Sequence, residues 1–121
     1  MEEWTEDAIS YYKTVDLFVL SSFSEGWGLT VIEAASSLCP IIMTDTGCAR
    51  EFIQDNVNGW VIKINNTEDM TYALNEAIGD KKKRISFAQQ AFKNLSLLPN
   101  EKTTLQQLQQ VWIKALPTTE L

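Results

Sequence analysis

Apolar positions along this chain follow two different periods. Residues 17–20, Leu-Phe-Val-Leu, form a short unbroken apolar run with polar neighbours, and Pro40 leads a second one, Ile41-Ile42-Met43-Thr44. Runs of this length predict strands buried on both faces of a parallel sheet, and a first strand position tolerates proline. Residues 60–64 predict a third strand, with Val61 and Ile62 as its buried members. Elsewhere the period lengthens to that of a helix. Trp4, Ala8, Tyr11 and Tyr12 predict a helix over 1–13, and Leu29, Ile32, Ala35 and Ser36 give one face of a helix that starts at Leu29. Residues 49–54 predict a short helix bearing Glu51, and 56–59 a turn. Met70, Ala73, Leu74, Ala77 and Ile78 mark a helix capped by Asn66 or Thr67 and ended by Gly79. Ile85, Ala88, Ala91, Phe92 and Leu95 mark the next, stopped near Pro99. Leu105, Leu108, Val111, Trp112, Ala115 and Leu116 mark the last, stopped by Pro117. Strands alternating with helices predict an α/β fold with a right-handed parallel sheet.

The chemistry gathers where the first strand meets its helix. Gly26 and Gly28 follow the strand within a few residues, giving strand, glycine-rich loop and helix N-terminus in succession. Ligands bind at such junctions in open α/β sheets, and the unpaired N–H groups and positive dipole end of a helix favour phosphate. Glu25 and Glu33 flank this junction. On one continuous helix they would stand about 80° apart in rotation and roughly 12 Å apart along the axis, too far to share a ligand. With Glu25 folded back from the loop, both reach one extended ligand. Carboxylates accept hydrogen bonds from sugar hydroxyls and are poor partners for phosphate. A molecule with central phosphates and hydroxyl-rich ends, such as a nucleotide sugar, suits the whole set.

The eight-residue spacing of the two glutamates means little alone, since Glu68 and Glu76 share it inside an ordinary amphipathic pattern. Context decides. Asp-Leu-Phe-Val-Leu precedes the loop, Ser22 stands three residues ahead of Glu25, and Gly-Trp-Gly-Leu follows it. Then come Glu33-Ala34, the strand led by Pro40, Gly47 with Glu51, and Asn58-Gly59-Trp60-Val61. Over residues 8–80 this order resembles the donor-site signature of retaining glycosyltransferases of the two-Rossmann-domain (GT-B) architecture, family four in particular. The likeness loosens toward the C-terminus. Cys48 and Leu38 depart from it where relatives carry glycine, which puts the tightness of two turns in question.

The resemblance implies a partial Rossmann-like three-layer α/β/α fold with a short parallel sheet, the C-terminal half of a GT-B enzyme. Residues 1–98 would be the nucleotide-sugar-binding subdomain, truncated on its N-terminal side, and 99–121 a C-terminal helix that crosses to the other domain. Met1 would then not be the native start. The implied activity is transfer of a hexose or N-acetylhexosamine, with retention, from a nucleotide-diphospho-sugar, by family frequency a UDP-sugar. The acceptor would be a glycan or lipid-linked molecule held by the missing N-terminal domain, in O-antigen or other surface polysaccharide assembly. Glu25 would be the catalytic-site carboxylate. Glu25, Gly26, Trp27, Gly28, Leu29, Thr30, Val31 and Glu33 would bind the donor, the backbone N–H groups from Gly28 to Val31 on the diphosphate and Glu33 on the ribose. Neither metal nor cofactor is expected, the nucleotide sugar being a substrate. An Arg/Lys pair for the diphosphate would come from upstream, leaving this piece inactive alone. Two other readings stand beside it: another GT-B enzyme, such as a sugar-nucleotide epimerase or a phosphorylase, and a non-catalytic α/β binding module.

Composition narrows the picture a little. The 121 residues suffice for one small core, and 45% hydrophobic with 21% charged residues is ordinary for a globular domain. A net charge of -6 argues against nucleic-acid binding, which needs Lys and Arg to neutralise phosphates. Cys39 and Cys48 lack metal-site spacing and the chain has no histidine, so they are read as free thiols. No apolar run has the length of a membrane span, which predicts a cytoplasmic protein. The basic run 81–84 is read as a solvated helix start, with contact at the inner face of the cell membrane as the alternative.

Overall fold

The computed structural model describes residues 6–115. The chain runs α1 (Ala8–Thr14), β1 (Phe18–Leu20), α2 (Leu29–Ser36), β2 (Ile41–Thr44), β3 (Trp60–Ile62), α3 (Thr67–Gly79), α4 (Lys81–Asn94), a 3-10 turn (Leu95–Leu97) and α5 (Glu101–Ala115). The three strands form a parallel sheet in the order β1-β2-β3. Phe18 pairs with Ile41, and Ile42 with Trp60.

Because side chains alternate across a strand, β2 feeds two cores. Ile41 and Met43 pack with Val31, Ala34 and Ala35 of α2, and Ile42 packs with Trp60, Ile62 and the α3 residues Ala73 and Ala77. Helices on both faces give the three layers expected. Helix α4 spans the two cores, placing Ala91 in one and Phe87 in the other. All four residues of β2 are buried, as the apolar run implies for a central strand.

β1 departs from its reading. Val19 is 39% exposed and Phe18 and Leu20 only partly buried, because β1 is an edge strand among the described residues. Helix α1 begins at Ala8, where the Asp7 carboxylate accepts from Ser10 N; the predicted turns over residues 1–5 lie outside the described residues, as do Leu116 and Pro117. The buried face of α2 is Val31, Ala34 and Ala35, so of the predicted stripe Ala35 lies in the core, Ile32 packs against it from a partly buried position, and Leu29 is 74% exposed. In β3, Trp60 and Ile62 are buried and Val61 partly so, since this strand puts its odd member under the less covered face. No helix forms over 49–54. Its backbone closes as turns, with Arg50 N donating to Ile53 O and Arg50 at φ 72°. Asn66, not Thr67, caps α3, accepting from Asp69 N. In α4 Phe87 is buried while Ile85 and Phe92 are about half exposed. The described side chains of α5, Leu105, Leu108 and Val111 included, are exposed.

The two departures from glycine resolve differently. Leu38 takes φ 56° at the end of α2, where Cys39 N donates to Ala34 O, a turn that favours glycine. Cys48 needs no such freedom, because Gly47 takes the positive φ of 55° beside it.

Glu76, unremarkable in the sequence pattern, ties β3 to the two helices beside it. Its carboxylate accepts from Lys83 Nζ at 2.8 Å, Tyr72 Oη at 2.9 Å and Trp60 Nε1 at 3.2 Å. The Lys83 bond, then those from Trp60 and Tyr72, pulls the Glu76 pKa from 4.5 down to about 2. A carboxylate with a depressed folded pKa stabilises the fold above its unfolded pKa, and that contribution is lost as pH falls from about 4.5 toward 2. Denaturant midpoints measured through that window should fall less steeply in a Glu76→Gln variant than in the parent chain. The same contacts occupy half of the basic run: Lys83 faces Glu76, and Arg84 donates to the Ala77 and Ile78 carbonyls at the end of α3.

Candidate functional site at the junction of the first strand and the second helix

The loop between β1 and α2 is held from two sides. From β2, Thr44 Oγ1 donates to Ser22 O at 2.6 Å, fixing the chain as it leaves β1. Ser22 Oγ in turn donates to Glu25 Oε1 at 2.5 Å, which sets the direction of that carboxylate. From the loop after β2, Cys48 N donates to Trp27 O at 2.9 Å. Gly47 lies so close that a Cβ there would stand 2.9 Å from Trp27 O and 3.0 Å from Glu25 Cβ. The absent side chain at Gly47 is therefore part of how Glu25 and Trp27 are placed.

Gly28 ends the loop at φ 89°, ψ 59°, a left-handed conformation that glycine adopts without a Cβ penalty. The chain then turns directly into α2. Among the described residues the backbone N–H groups of Gly26, Trp27, Gly28, Leu29 and Thr30 find no acceptor, so five consecutive donors remain open at a helix start. Val31 N, expected to join them, is taken by Gly28 O at 2.9 Å, because the first turn of α2 tightens there. The Thr30 side chain is exposed.

Glu33 lies on α2, partly buried, and Tyr12 of α1 donates its hydroxyl to Glu33 Oε2 at 3.2 Å. Tyr12 also packs edge-on against Phe18, with ring centroids 5.4 Å apart. Burial, and after it the Glu33 charge, raises the Tyr12 pKa, so the phenol stays protonated as a donor. Glu33 Oε1 has no partner among the described residues. One carboxylate oxygen is thus anchored and the other is available.

Tyr12 and Thr44 escaped the sequence reading. Helical periodicity places Tyr12 only on a helix face, and nothing in the spacing of residues 12 and 33 announces contact. Ser22 belongs to the motif's context, and its spacing from Glu25 alone does not show the hydrogen bond between them. Glu51 is exposed and forms no hydrogen bond or ion pair among the described residues. Cys39 and Cys48 are free and buried, and burial raises both thiols to about 11, which keeps them protonated. Among the described residues no helix is long and apolar enough to cross a membrane.

The parallel sheet with helices on both faces is the fold that the resemblance implies. The sequence profile described as Glycosyl transferases group 1 matches residues 2–94. The chain belongs to this family. It is 32% identical over 94 residues to the poly(glycerol-phosphate) alpha-glucosyltransferase of Bacillus subtilis (strain 168), an alignment covering 77% of this chain and 14% of that protein. It superposes with a TM-score of 0.71 and 29% identity on the C-terminal domain of a glycosyl transferase group 1 family protein (LpcC) from Francisella tularensis, covering 80% of this chain and 50% of that one. A mutant of S. aureus TarM, in complex with fondaparinux, alpha-GlcNAc-glycerol and UDP, superposes with a TM-score of 0.79 at 26% identity, covering 88% of this chain and 22% of that one. The chain is thus a C-terminal GT-B piece of a group 1 glycosyltransferase, and it spans only about a seventh of the length of the B. subtilis relative.

Proposed function

We propose that this chain carries the donor half of the active site of a retaining, metal-independent hexosyltransferase that uses a UDP-sugar. The observation that carries the reading is the run of five open N–H groups leading into α2 between two fixed carboxylates. Breaking the bond from sugar C1 to phosphate leaves negative charge on the departing diphosphate. Preorganised donors aimed at that charge lower the barrier, and the N–H groups of Gly28, Leu29 and Thr30, with the Thr30 hydroxyl, supply them. Glu25, directed by Ser22, and the backbone of 26–29 take hydroxyls of the transferred sugar. Glu33 accepts from the ribose through the oxygen that Tyr12 leaves open. Neither glutamate acts as a proton shuttle, because a diphosphate departs without general-acid help. The acceptor hydroxyl then attacks C1 on the face the diphosphate leaves and passes its proton to the departing phosphate oxygen, which accounts for retention.

The acceptor is proposed to be a glycan or lipid-linked molecule in surface polysaccharide assembly, O-antigen among them, held mainly by a further domain; the similarity to a poly(glycerol-phosphate) glucosyltransferase supports this class. The protein is proposed to work in the cytoplasm, with Lys81 and Lys82 as the part of the basic run left for contact with the membrane surface. No cofactor is invoked.

Titration of the isotope-labelled chain with UDP, GDP and UDP-sugars tests the donor assignment. UDP should move the amide signals of 26–33 and GDP should move them less, and the response should vanish in a Glu33→Ala variant. Shifts spread evenly over the chain, or unchanged in the variant, would refute it.

A further inference from the structure

Between the donor loop and α5 lies a groove of ≈ 640 Å³, lined by Trp27, Leu29, Glu51, Leu98, Thr104 and Gln107 among others. Its volume is in the range of small-molecule sites, about 300–1,000 Å³. Thr30 and Glu33 do not line it, and of the residues assigned to the diphosphate only Leu29 does. We propose that this groove is a subsite for a pyranose ring of the acceptor glycan, with the Trp27 indole as its platform and Glu51, Thr104 and Gln107 as its hydroxyl partners. The proposal rests on the donor reading above, because it takes the acceptor to approach the sugar held by the same loop.

Three observations carry it. First, the platform is rigid and open. Trp27 is 41% exposed, its carbonyl is held by Cys48 N, its ring leans on Phe52 with centroids 6.4 Å apart, and Gly47 fixes the backbone beneath it. An aromatic ring fixed in this way covers the apolar face of a sugar at little cost in entropy. Second, the polar groups around it are unspent. The Glu51 carboxylate, Thr104 hydroxyl and Gln107 amide form no hydrogen bond among the described residues, and together they offer both acceptors and donors, as sugar hydroxyls require. Third, α5 sends the polar Thr104 and Gln107 to the groove, whereas its exposed Leu105, Leu108 and Val111 do not line it. A simple helix-packing seam would have the opposite arrangement. The occupant that matches an aromatic face rimmed by a carboxylate, a hydroxyl and an amide is a neutral saccharide.

The test titrates the labelled chain with methyl α-glucopyranoside, methyl α-galactopyranoside and their N-acetylamino analogues, following the Trp27 indole N–H and the Gln107 side-chain amide, with UDP in a parallel series. At least one glycoside should move both signals, and Glu51→Ala should weaken that binding about tenfold or more, the loss expected of one hydrogen bond to a charged acceptor. Trp27→Phe should retain part of the response and Trp27→Ala abolish it, while UDP shifts at 28–30 persist in Glu51→Ala and in a Gln107→Ala variant. Glycosides that leave the Trp27 and Gln107 signals unmoved, or that bind Glu51→Ala as tightly as the parent, overturn the subsite. The UDP series reads separately on the donor site, so failure of one assignment is distinguished from failure of the other.

Discussion

Replacing Glu33 by alanine in the enzyme that contains this chain should lower kcat/KM for the donor about a hundredfold, and replacing Glu25 should lower turnover by well over tenfold. Both magnitudes follow from the proposed contacts. A hydrogen bond to a charged acceptor contributes about 1.5–3 kcal/mol, and each 1.36 kcal/mol is tenfold in rate, so losing two ribose contacts costs about two orders of magnitude. The two variants should differ in kind. Glu33 holds the ribose in ground state and transition state alike, so its loss should raise the donor KM most. Glu25 orients the transferred sugar, whose charge changes as C1 leaves the phosphate, so its loss should act mainly on kcat. Ser22→Ala, which frees Glu25 without removing it, should give a smaller loss of the same kind. Steady-state kinetics with varied donor separate these patterns. Near-normal activity in both glutamate variants would refute the assignment.

What the sequence could reveal and what it could not divides along physical lines. β2 was legible because a central strand is apolar at every position, and Ile41, Ile42 and Met43 are each fully buried. β1 carries the same kind of run yet has an exposed Val19, since an apolar run cannot announce how many neighbours its strand has. The start of α2 was legible from Gly28, whose left-handed backbone favours that residue type. The rotation of the helix was not, because Leu29 and Val31 are both apolar and only the direction of entry decides which is buried. Val61 is only partly buried, whereas Trp60 lies on the face it shares with Ile42, the one covered by α3 and Phe87.

The candidate site shows the same division. Glu25, the glycines and Glu33 lie within nine residues, and local pattern together with a family resemblance identified them. Their supports come from distant segments: Thr44 reaches across to Ser22, Tyr12 to Glu33, and the loop after β2 to Trp27. Such contacts depend on the register of β1 against β2, which pairs Leu20 with Met43 and so brings Thr44 level with the start of the loop. Pairing of that sort is a property of the folded sheet, and no spacing along the chain encodes it.

This dependence gives Gly47 the second large effect. Gly47→Ala should cost about 2–3 kcal/mol of stability and weaken donor binding as well, although Gly47 touches no proposed ligand group. An alanine there would have to hold φ 55° against the preference of an L-residue, with its Cβ 2.9 Å from Trp27 O and 3.0 Å from Glu25 Cβ. Backbone lies on one side of that contact, so neither partner retreats cheaply. Relief requires the loop to move away from β2, which lengthens the Cys48 N to Trp27 O bond and shifts Glu25 and the open N–H groups together. Gly26→Ala provides the control: nothing lies within 4 Å of a Cβ there, and its φ is not in the left-handed region. That variant should stay within about 0.5 kcal/mol of the parent in stability. Chemical denaturation and UDP titration of the two variants measure both quantities. A Gly47→Ala protein that lost stability but bound UDP unchanged would show that the loop after β2 supports the fold without setting the site. Loss of both, with Gly26→Ala stable, would show that the site's geometry is set by a backbone contact that no side chain supplies.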